Sequence, residues 1–257
     1  MTTKPQVFTT VAEFQKFRQS LDPQKKVGFV PTMGALHQGH ASLLRKSKSE
    51  NDFSVLSLFV NPTQFNNPTD LKLYPKTWDA DLQLAADCEV DAILLPTYGQ
   101  IYPDHYRFKL IENDFSKMLC GQSRPGHFDG VLTVVMKLLQ IVQPSKAYFG
   151  EKDFQQYLLI KDMAASFFLP AVIVPCPTLR EESGLALSSR NTRLSAEGLK
   201  KAALINQFAR KYTTAQQVKS SLNESGFEVD YVEDHFQRRF IAAHLEGVRL
   251  IDNVELK

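Results

Sequence analysis

The sequence predicts an α/β protein, with a Rossmann-like, doubly wound parallel sheet and a small C-terminal α+β domain. Short runs of β-branched and aromatic residues alternate with amphipathic helical patterns of about 10–15 residues, as in βαβ units. Ligands of parallel sheets bind at the carboxyl ends of the strands, so residues of unusual composition at those ends predict one composite site. Four such segments follow predicted strands, at 31–40, 61–65, 150–156 and 178–191. The expected division is a large domain over residues 1–180 and a small one over 181–257.

The order of the elements follows from residue spacing and from turn residues. Apolar residues at helical spacing predict helices, and β-branched or aromatic runs that end at Pro, Gly or Asn predict strands. In the first third of the chain these rules predict a helix over 10–21, a strand over 27–30, a helix to residue 52, a strand over 53–60 and a polar surface loop over 66–76. A helix over 77–88 and a strand over 92–96 follow, and then an irregular stretch over 98–128 with a short strand near 107–111. The last predicted elements of this domain are a helix from a cap at Asp129 to Val142, a strand over 146–150, a helix over 153–168 and a strand over 171–174.

The pattern changes after residue 193. Two amphipathic helices, over 196–212 and 215–225, precede three strand-like runs at 227–232, 239–243 and 248–251. A segment this short buries little apolar surface by itself, so we expect it to dock on the first domain.

Composition favours a cytoplasmic enzyme. The chain has 257 residues, 43% of them hydrophobic, and a net charge of +2 that is dispersed, which argues against a nucleic-acid partner. No apolar run reaches the roughly 18 residues of a membrane helix, so no membrane partner is expected. Cys88, Cys120 and Cys176 are odd in number and widely spaced, and we expect free thiols in a reducing compartment.

Two histidines lie three residues apart at the start of the second helix. His37 and His40 follow a strand and a turn at Gly34, and a helix N-terminus favours an anion through its free N–H groups and its dipole. Zinc ligation is disfavoured because no Glu follows and no third ligand is evident. A structural role in capping remains an alternative. The pattern favours phosphate chemistry, in which imidazoles donate hydrogen bonds to an oxyanion or protonate a leaving group.

Cations and hydroxyl groups follow two later strands. Lys152 can supply a point charge to phosphates, and Asp153 can cap the next helix and accept a hydrogen bond from a ribose hydroxyl. Ser188, Ser189 and Arg190 are typical of a phosphate clamp. The structural alternatives are a solvated charge and an ordinary Ser-rich turn. P-loop and Gly-x-Gly-x-x-Gly motifs are absent from the sequence.

Neutral amides at Gln64, Gln155 and Gln156 suit hydroxyl groups and a carboxylate, although exposed surface glutamines are the alternative. The turn at 124–128 carries Arg124 and His127, which serve either as a wall of the site or as structure.

These motifs together resemble those of the pantoate–β-alanine ligases, also called pantothenate synthetases. The His-x-Gly-His element is shared by a wider nucleotidyltransferase superfamily, whereas the full set is far more specific. The resemblance implies an ATP-dependent condensation of (R)-pantoate with β-alanine through a pantoyl adenylate, releasing AMP and pyrophosphate, by a homodimer. The matching segments follow one another along nearly the whole chain, at 31–40, 59–65, 124–131, 148–156, 185–191 and 249–253.

The resemblance also implies residue roles. The expected catalytic residues are His37, as an acid or hydrogen-bond donor, His40, Lys152 and Arg190. Gln64 and Gln156 are expected to bind pantoate, with Gln64 also near β-alanine. The expected ATP-binding residues are Met33, Gly34, Ala35, Leu36, His37, Gln38, Gly39, His40, Gly150, Glu151, Lys152, Asp153, Leu179, Leu187, Ser188, Ser189 and Arg190.

The resemblance implies two further features. Mg2+ is expected on the ATP phosphates; Asp81 is a candidate for orienting it, and no protein ligand is assigned. The C-terminal part acts as a lid in this family, and a spacer reduced to about residues 234–237 predicts a shortened lid here.

Three other functions remain as alternatives. A nucleotidyltransferase that adenylates a phosphate monoester needs cations where Gln64 and Gln156 stand. A tRNA-charging core needs an RNA-binding domain and a basic surface. A nucleotide-binding regulator without turnover has no need of His37, Lys152 and Arg190 together.

Overall fold

A six-stranded parallel sheet forms the centre of the computed structural model, which describes residues 4–256, and this confirms the predicted fold class. The strands pair in the order β1-β4-β3-β2-β5-β6. Successive connections run toward opposite edges from β2 and β5, so the topological switch point lies between these two strands. The strands are β1 (Gln6–Phe8), β2 (Val27–Thr32), β3 (Phe53–Leu58), β4 (Ala92–Leu94), β5 (Lys146–Gly150) and β6 (Val172–Cys176).

Helices cover both faces of the sheet. One apolar cluster contains Phe14, Val135 and Ile160, and a second, on the other face, contains Leu44 and Ala85. The helices of this domain are α1 (Val11–Ser20), α2 (Gln38–Glu50), α3 (Pro68–Lys72), α4 (Trp78–Asp87), α5 (Tyr98–Ile101), α6 (Cys120–Ser123), α7 (His127–Val142) and α8 (Phe154–Ser166), and 3-10 turns lie at Pro62–Gln64, Phe115–Lys117 and Glu151–Asp153.

The C-terminal part contains an antiparallel sheet in the order β7-β8-β9. Phe236 and Gln237 join β7 to β8 with φ of 50° and 57°, the conformation of a two-residue hairpin turn. The short spacer therefore closes a regular hairpin. Its elements are α9 (Ala196–Ala202), α10 (Leu204–Lys211), α11 (Ala215–Glu224), β7 (Glu228–His235), β8 (Arg238–Leu245) and β9 (Val248–Glu255), with a 3-10 turn at Ser189–Arg193 before them.

This C-terminal part has a core of its own, contrary to the expectation that it buries little. Ile205, Val218, Leu222 and Ile241 are buried together in one cluster. The predicted helix over 196–212 is in fact two helices that meet at Ala203. The domain also docks on the first one, since Phe240 joins the main core cluster. The division at residue 180 stays a prediction.

Several local features of the first domain differ from the prediction, including the short helices α5 and α6 within the stretch over 98–128 that was expected to be irregular. Strand β1 was not predicted, because three residues are too few for a period-2 pattern to be recognised. The loop over 66–76 contains the short helix α3, which Asn67 caps by accepting from Thr69 N–H at 2.8 Å. Residues 107–111 form no strand; the N–H of Leu110 donates instead to Oγ1 of Thr133.

The start of α7 also differs from the prediction. The helix begins at His127, after Gly126 with φ of 77°, and Asp129 lies in its first turn rather than at the cap. Asp129 still suits the positive end of the helix dipole. Within residues 4–256, no helix is long and apolar enough to cross a membrane.

Candidate active site

The turn after β2 is held by a buried carboxylate. Gly34 and Ala35 both have positive φ, 81° and 51°, so the chain reverses within two residues. Asp81 of α4 accepts from the N–H of Ala35 at 3.0 Å and of Leu36 at 2.7 Å, and from Oγ1 of Thr77 at 3.0 Å. These bonds explain why an Asp is buried at 4% exposure. Asp81 therefore shapes the turn, and the suggestion that it orients a metal is not needed.

His37 and His40 form a reciprocal cap at the N-terminus of α2. Nδ1 of His37 accepts from Gly39 N–H at 3.1 Å, and Nδ1 of His40 accepts from His37 N–H at 3.3 Å. A neutral imidazole whose Nδ1 accepts must carry its proton on Nε2. Each ring therefore offers an Nε2–H donor. A Cβ on Gly39 would lie 2.7 Å from Cε1 of His37, so only glycine leaves room for the ring.

Both rings are neutral at physiological pH. Burial, followed by the positive charge of Lys152, lowers the pKa of His37 to about 4. Burial, then His37 and Lys152, lowers the pKa of His40 to about 3. Of the two roles expected for His37, the geometry therefore favours the hydrogen-bond donor over the acid.

Gln64 is oriented from both ends. Its Oε1 accepts from Nδ2 of Asn61 at 3.0 Å, and one N–H of its Nε2 donates to Sδ of Met33 at 3.3 Å, which leaves the second N–H for a ligand. The backbone carbonyl oxygen of Gln64 accepts from Nη2 of Arg124 at 3.0 Å and lies 2.8 Å from Nδ1 of His127. The turn of Arg124 and His127 thus supports the site by fixing the backbone of Gln64.

The phosphate-binding candidates come from two segments of the chain. Lys152 stands in the 3-10 turn after β5, and its Nζ lies 3.8 Å from Oδ2 of Asp153. Asp153 precedes α8 but makes no capping bond, contrary to its expected role. In the second segment, Oγ of Ser188 accepts from Arg190 N–H at 3.3 Å, and Arg190 pairs with Asp70 at 3.0 Å.

These groups surround one cavity of about 230 Å³ at the switch point between β2 and β5. Five of the expected ATP-binding residues do not line it: Gly34, Ala35, Leu36, Gln38 and Glu151. The predicted residues that do line it are Met33, His37, Gly39, His40, Gln64, Gly150, Lys152, Asp153, Gln156, Leu179, Leu187, Ser188, Ser189 and Arg190.

A larger cavity, of about 370 Å³, lies between the C-terminal sheet and the segments that follow β3, β5 and β6. It shares Lys152, Asp153, Ser188 and Arg190 with the smaller one, but His37, His40 and Gln64 do not line it. The smaller cavity is the candidate active site because His37, His40 and Gln64 line it together. Among residues 4–256, no three His, Cys, Asp or Glu side chains are grouped as a metal site.

Sequence reasoning missed part of the wall. Tyr74 is buried at 7% exposure, with its hydroxyl 3.5 Å from Oγ of Ser189, and Val134 and Leu138 of α7 supply an apolar side. The i, i+4 spacing of the two α7 residues was a usable signal, but apart from a polar stripe of Asp129, Thr133 and Lys137 the helix is apolar around most of its circumference, so the spacing did not single out these two. Gln155 does not reach the cavity, because its amide is buried in bonds to backbone groups of the 115–120 segment.

Comparison with known proteins agrees with this geometry. Residues 6–255 match the family described as pantoate-beta-alanine ligase. A pantothenate synthetase of Bdellovibrio bacteriovorus is 56% identical over 98% of this chain and 99% of its own length.

Two solved structures are similar over nearly the whole chain. A Francisella tularensis pantoate-beta-alanine ligase, complexed with beta-gamma ATP and beta-alanine, is 43% identical with a TM-score of 0.94 and covers 98% of this chain and 97% of its own. Pantothenate synthetase of Thermus thermophilus is 37% identical, with a TM-score of 0.91 and coverages of 97% and 99%. These relatives are nearly equal in length to this chain, and the shortened lid stays a prediction. The chain belongs to the pantoate–β-alanine ligase family.

Proposed function

We propose that this enzyme condenses pantoate with β-alanine in two steps within the smaller cavity. A carboxylate oxygen of pantoate attacks the α-phosphorus of ATP, the bond from that phosphorus to the bridging oxygen breaks, and pyrophosphate leaves. The amine of β-alanine then attacks the acyl carbon of the pantoyl adenylate, loses a proton, and AMP leaves. Membership of the ligase family over residues 6–255 supports this reaction.

One observation carries the proposal: two neutral Nε2–H donors and a lysine share a cavity with the oriented amide of Gln64. Charge builds on the α-phosphate oxygens during an in-line displacement, and preorganised donors stabilise it without rearrangement. We assign this task to His37 and His40, whose Nδ1 atoms are already occupied. Lys152 and Arg190 would face the phosphates that leave.

The amides favour a carboxylate substrate over a phosphate monoester. The second N–H of Gln64 Nε2 suits the carboxylate or hydroxyl oxygens of pantoate, and Gln156 lines the same cavity. Val134 and Leu138 provide an apolar surface for the methyl groups of pantoate. A doubly charged monoester would instead require cations at these positions.

We propose that Mg2+ enters with ATP as part of the substrate. The carboxylate of Asp81 already accepts three hydrogen bonds, and the described residues contain no three-ligand cluster. Mg2+ keeps several waters and binds nucleotides chiefly through phosphate oxygens, where it neutralises charge on the leaving group.

We further propose that the enzyme is a cytoplasmic homodimer. Phe167, Phe168 and Val172, near the exposed edge strand β6, are 52%, 92% and 57% exposed, which is unusual for apolar residues beside one another in sequence. The three cysteines are free thiols, in keeping with a reducing compartment. Sedimentation of the wild type against a Phe168→Glu variant tests the dimer, which the charge should dissociate.

The function is tested by exchange of labelled pyrophosphate into ATP. We expect exchange that requires pantoate and Mg2+ but not β-alanine, because adenylation precedes amide formation. No exchange with pantoate, together with exchange supported by a phosphate monoester, would refute the proposal.

A further inference from the structure

The segment Arg249–Asn253 is a family motif that the proposed chemistry does not use. It lies on β9, in the C-terminal sheet, whereas the phosphate-binding candidates belong to the turns after β5 and β6. Two consecutive side chains of this strand, those of Asp252 and Asn253, nevertheless make buried contacts with the segments that carry those candidates.

Asn253 holds the turn of Lys152. Asn253 is 3% exposed, and its Nδ2 donates to the backbone carbonyl oxygens of Glu151 at 2.8 Å and Lys152 at 3.1 Å. Its Oδ1 accepts from Nη1 of Arg238 at 2.7 Å. Since the guanidinium can only donate, Oδ1 must face Arg238 and Nδ2 must face the carbonyls. The amide therefore has a single orientation.

Arg238, on β8, contacts side chains in and next to the same turn. Its Nη2 lies 3.4 Å from Oε1 of Glu151, and its guanidinium stands 4.1 Å from the centre of the Phe154 ring. Glu151 and Phe154, which lie on either side of Lys152 in the sequence, therefore both contact Arg238 of the C-terminal sheet.

Asp252 holds the other segment. Its two carboxylate oxygens accept from Arg180 at 2.6 and 2.8 Å, and Nη2 of Arg180 also donates to the carbonyl of Asn253 at 3.2 Å. Arg180 pairs with Ala186 in an isolated antiparallel bridge, and this short loop leads directly into Ser188. Adjacent residues of one strand therefore contact the turn of Lys152 and the loop that leads into Ser188.

We infer that Asn253 is a positioning residue that sets the backbone of Lys152 relative to the Ser188–Arg190 segment. The inference rests on the proposed function of Lys152 as a phosphate ligand. Lysine reaches its target on a flexible stem, so the position of its backbone determines where the ammonium group can act. A displacement of about 1 Å in such a group lowers rates by about 100-fold.

The test uses Asn253→Ala and Asn253→Ser in the full-length enzyme. We expect Asn253→Ala to lower kcat/KM for ATP by about 10- to 100-fold and to weaken binding of a non-hydrolysable ATP analogue. Asn253→Ser should fall between, because one hydroxyl can donate to only one of the two carbonyls. Asn206→Ala is the matched control: it removes a buried amide that bonds to Asp252 and Arg210 within the C-terminal domain, and should change kcat/KM less than about 3-fold.

A double-mutant cycle with Lys152→Ala separates positioning from general loss of structure. With Lys152 removed, Asn253→Ala should weaken binding of the analogue by less than about 3-fold. An equal effect in both backgrounds would overturn the inference and leave Asn253 a structural residue. Normal analogue binding by Lys152→Ala alone would also overturn it, by removing its premise. A wild type without pantoate-dependent exchange would instead refute the proposed function itself.

Discussion

His37 carries two tasks that a pair of substitutions can separate. Its Nδ1 caps α2 through Gly39 N–H, and its Nε2–H is the donor we assign to the α-phosphate. His37→Asn keeps a side-chain acceptor suited to the cap but loses the donor at the position of Nε2. His37→Ala loses both.

The two tasks differ in the size of their effects. Loss of a helix cap lowers the free energy of unfolding by about 1 kcal/mol. Loss of one preorganised donor to a developing oxyanion raises the barrier by about 2.7–4 kcal/mol, a rate decrease of about 100- to 1,000-fold. We therefore expect His37→Asn to fold with nearly wild-type stability and to exchange pyrophosphate at least about 100-fold more slowly. His37→Ala should show the same loss of rate with about 1 kcal/mol less stability.

The assay is pantoate-dependent exchange, measured beside urea unfolding of each variant. Because the pKa of His37 is about 4, the wild-type rate should not fall between pH 6 and 8 through loss of a proton from this ring. Near-normal exchange by His37→Asn would remove the donor role. A rate that drops about tenfold per pH unit above 6.5 would indicate an acid instead.

Three other substitutions test the supports of the site. Gly130→Ala should raise the KM for pantoate by about tenfold, because the new Cβ would lie 2.5 Å from the carbonyl oxygen of Thr63, the residue before Gln64. The control Gly99→Ala has open space around the new Cβ and should leave the KM unchanged. Equal KM values for the two variants would contradict this prediction. Asp81→Asn should lower the free energy of unfolding by about 1–3 kcal/mol, because one backbone N–H then meets an amide donor. Urea unfolding measures this change, with the exposed Asp79→Asn as the control. Equal stabilities of the two variants would show that the turn needs no carboxylate. Burial lowers the pKa of His127 to about 3, as it lowers those of His37 and His40, so the unfolded chain binds the extra protons and stability should fall below about pH 6.5, with each of the three histidines contributing up to about 1.4 kcal/mol per unit. His127→Gln should reduce the slope by the contribution of one histidine, and an unchanged slope would mean that His127 does not contribute.

Local sequence was sufficient for much of the fold and for bringing the candidate site residues to one edge of the sheet. The strand over 146–150 was predicted at its observed bounds, and the segments after β2, β3, β5 and β6 do meet at one edge of the sheet. Alternation of strands and helices determines this outcome, because parallel strands place their carboxyl ends together.

Contacts between distant segments could not be predicted in the same way. Asp81 binds N–H groups 45 and 46 residues earlier, and nothing in its own surroundings distinguishes it from Asp79. Gln155 and Gln156 are identical and adjacent, yet a helix turns by about 100° per residue, so one amide faces the core and the other the cavity. Neither choice is decided by composition or by spacing.

The central claim is that pantoate is activated at the α-phosphate of ATP, and a label in its carboxylate tests this directly. When β-alanine displaces AMP from the acyl carbon, the carboxylate oxygen that attacked phosphorus must leave with AMP. With pantoate carrying ¹⁸O in both carboxylate positions, mass spectrometry should find one ¹⁸O atom in each AMP and none in pyrophosphate. Labelled inorganic phosphate formed together with ADP would indicate an acyl phosphate and contradict the account.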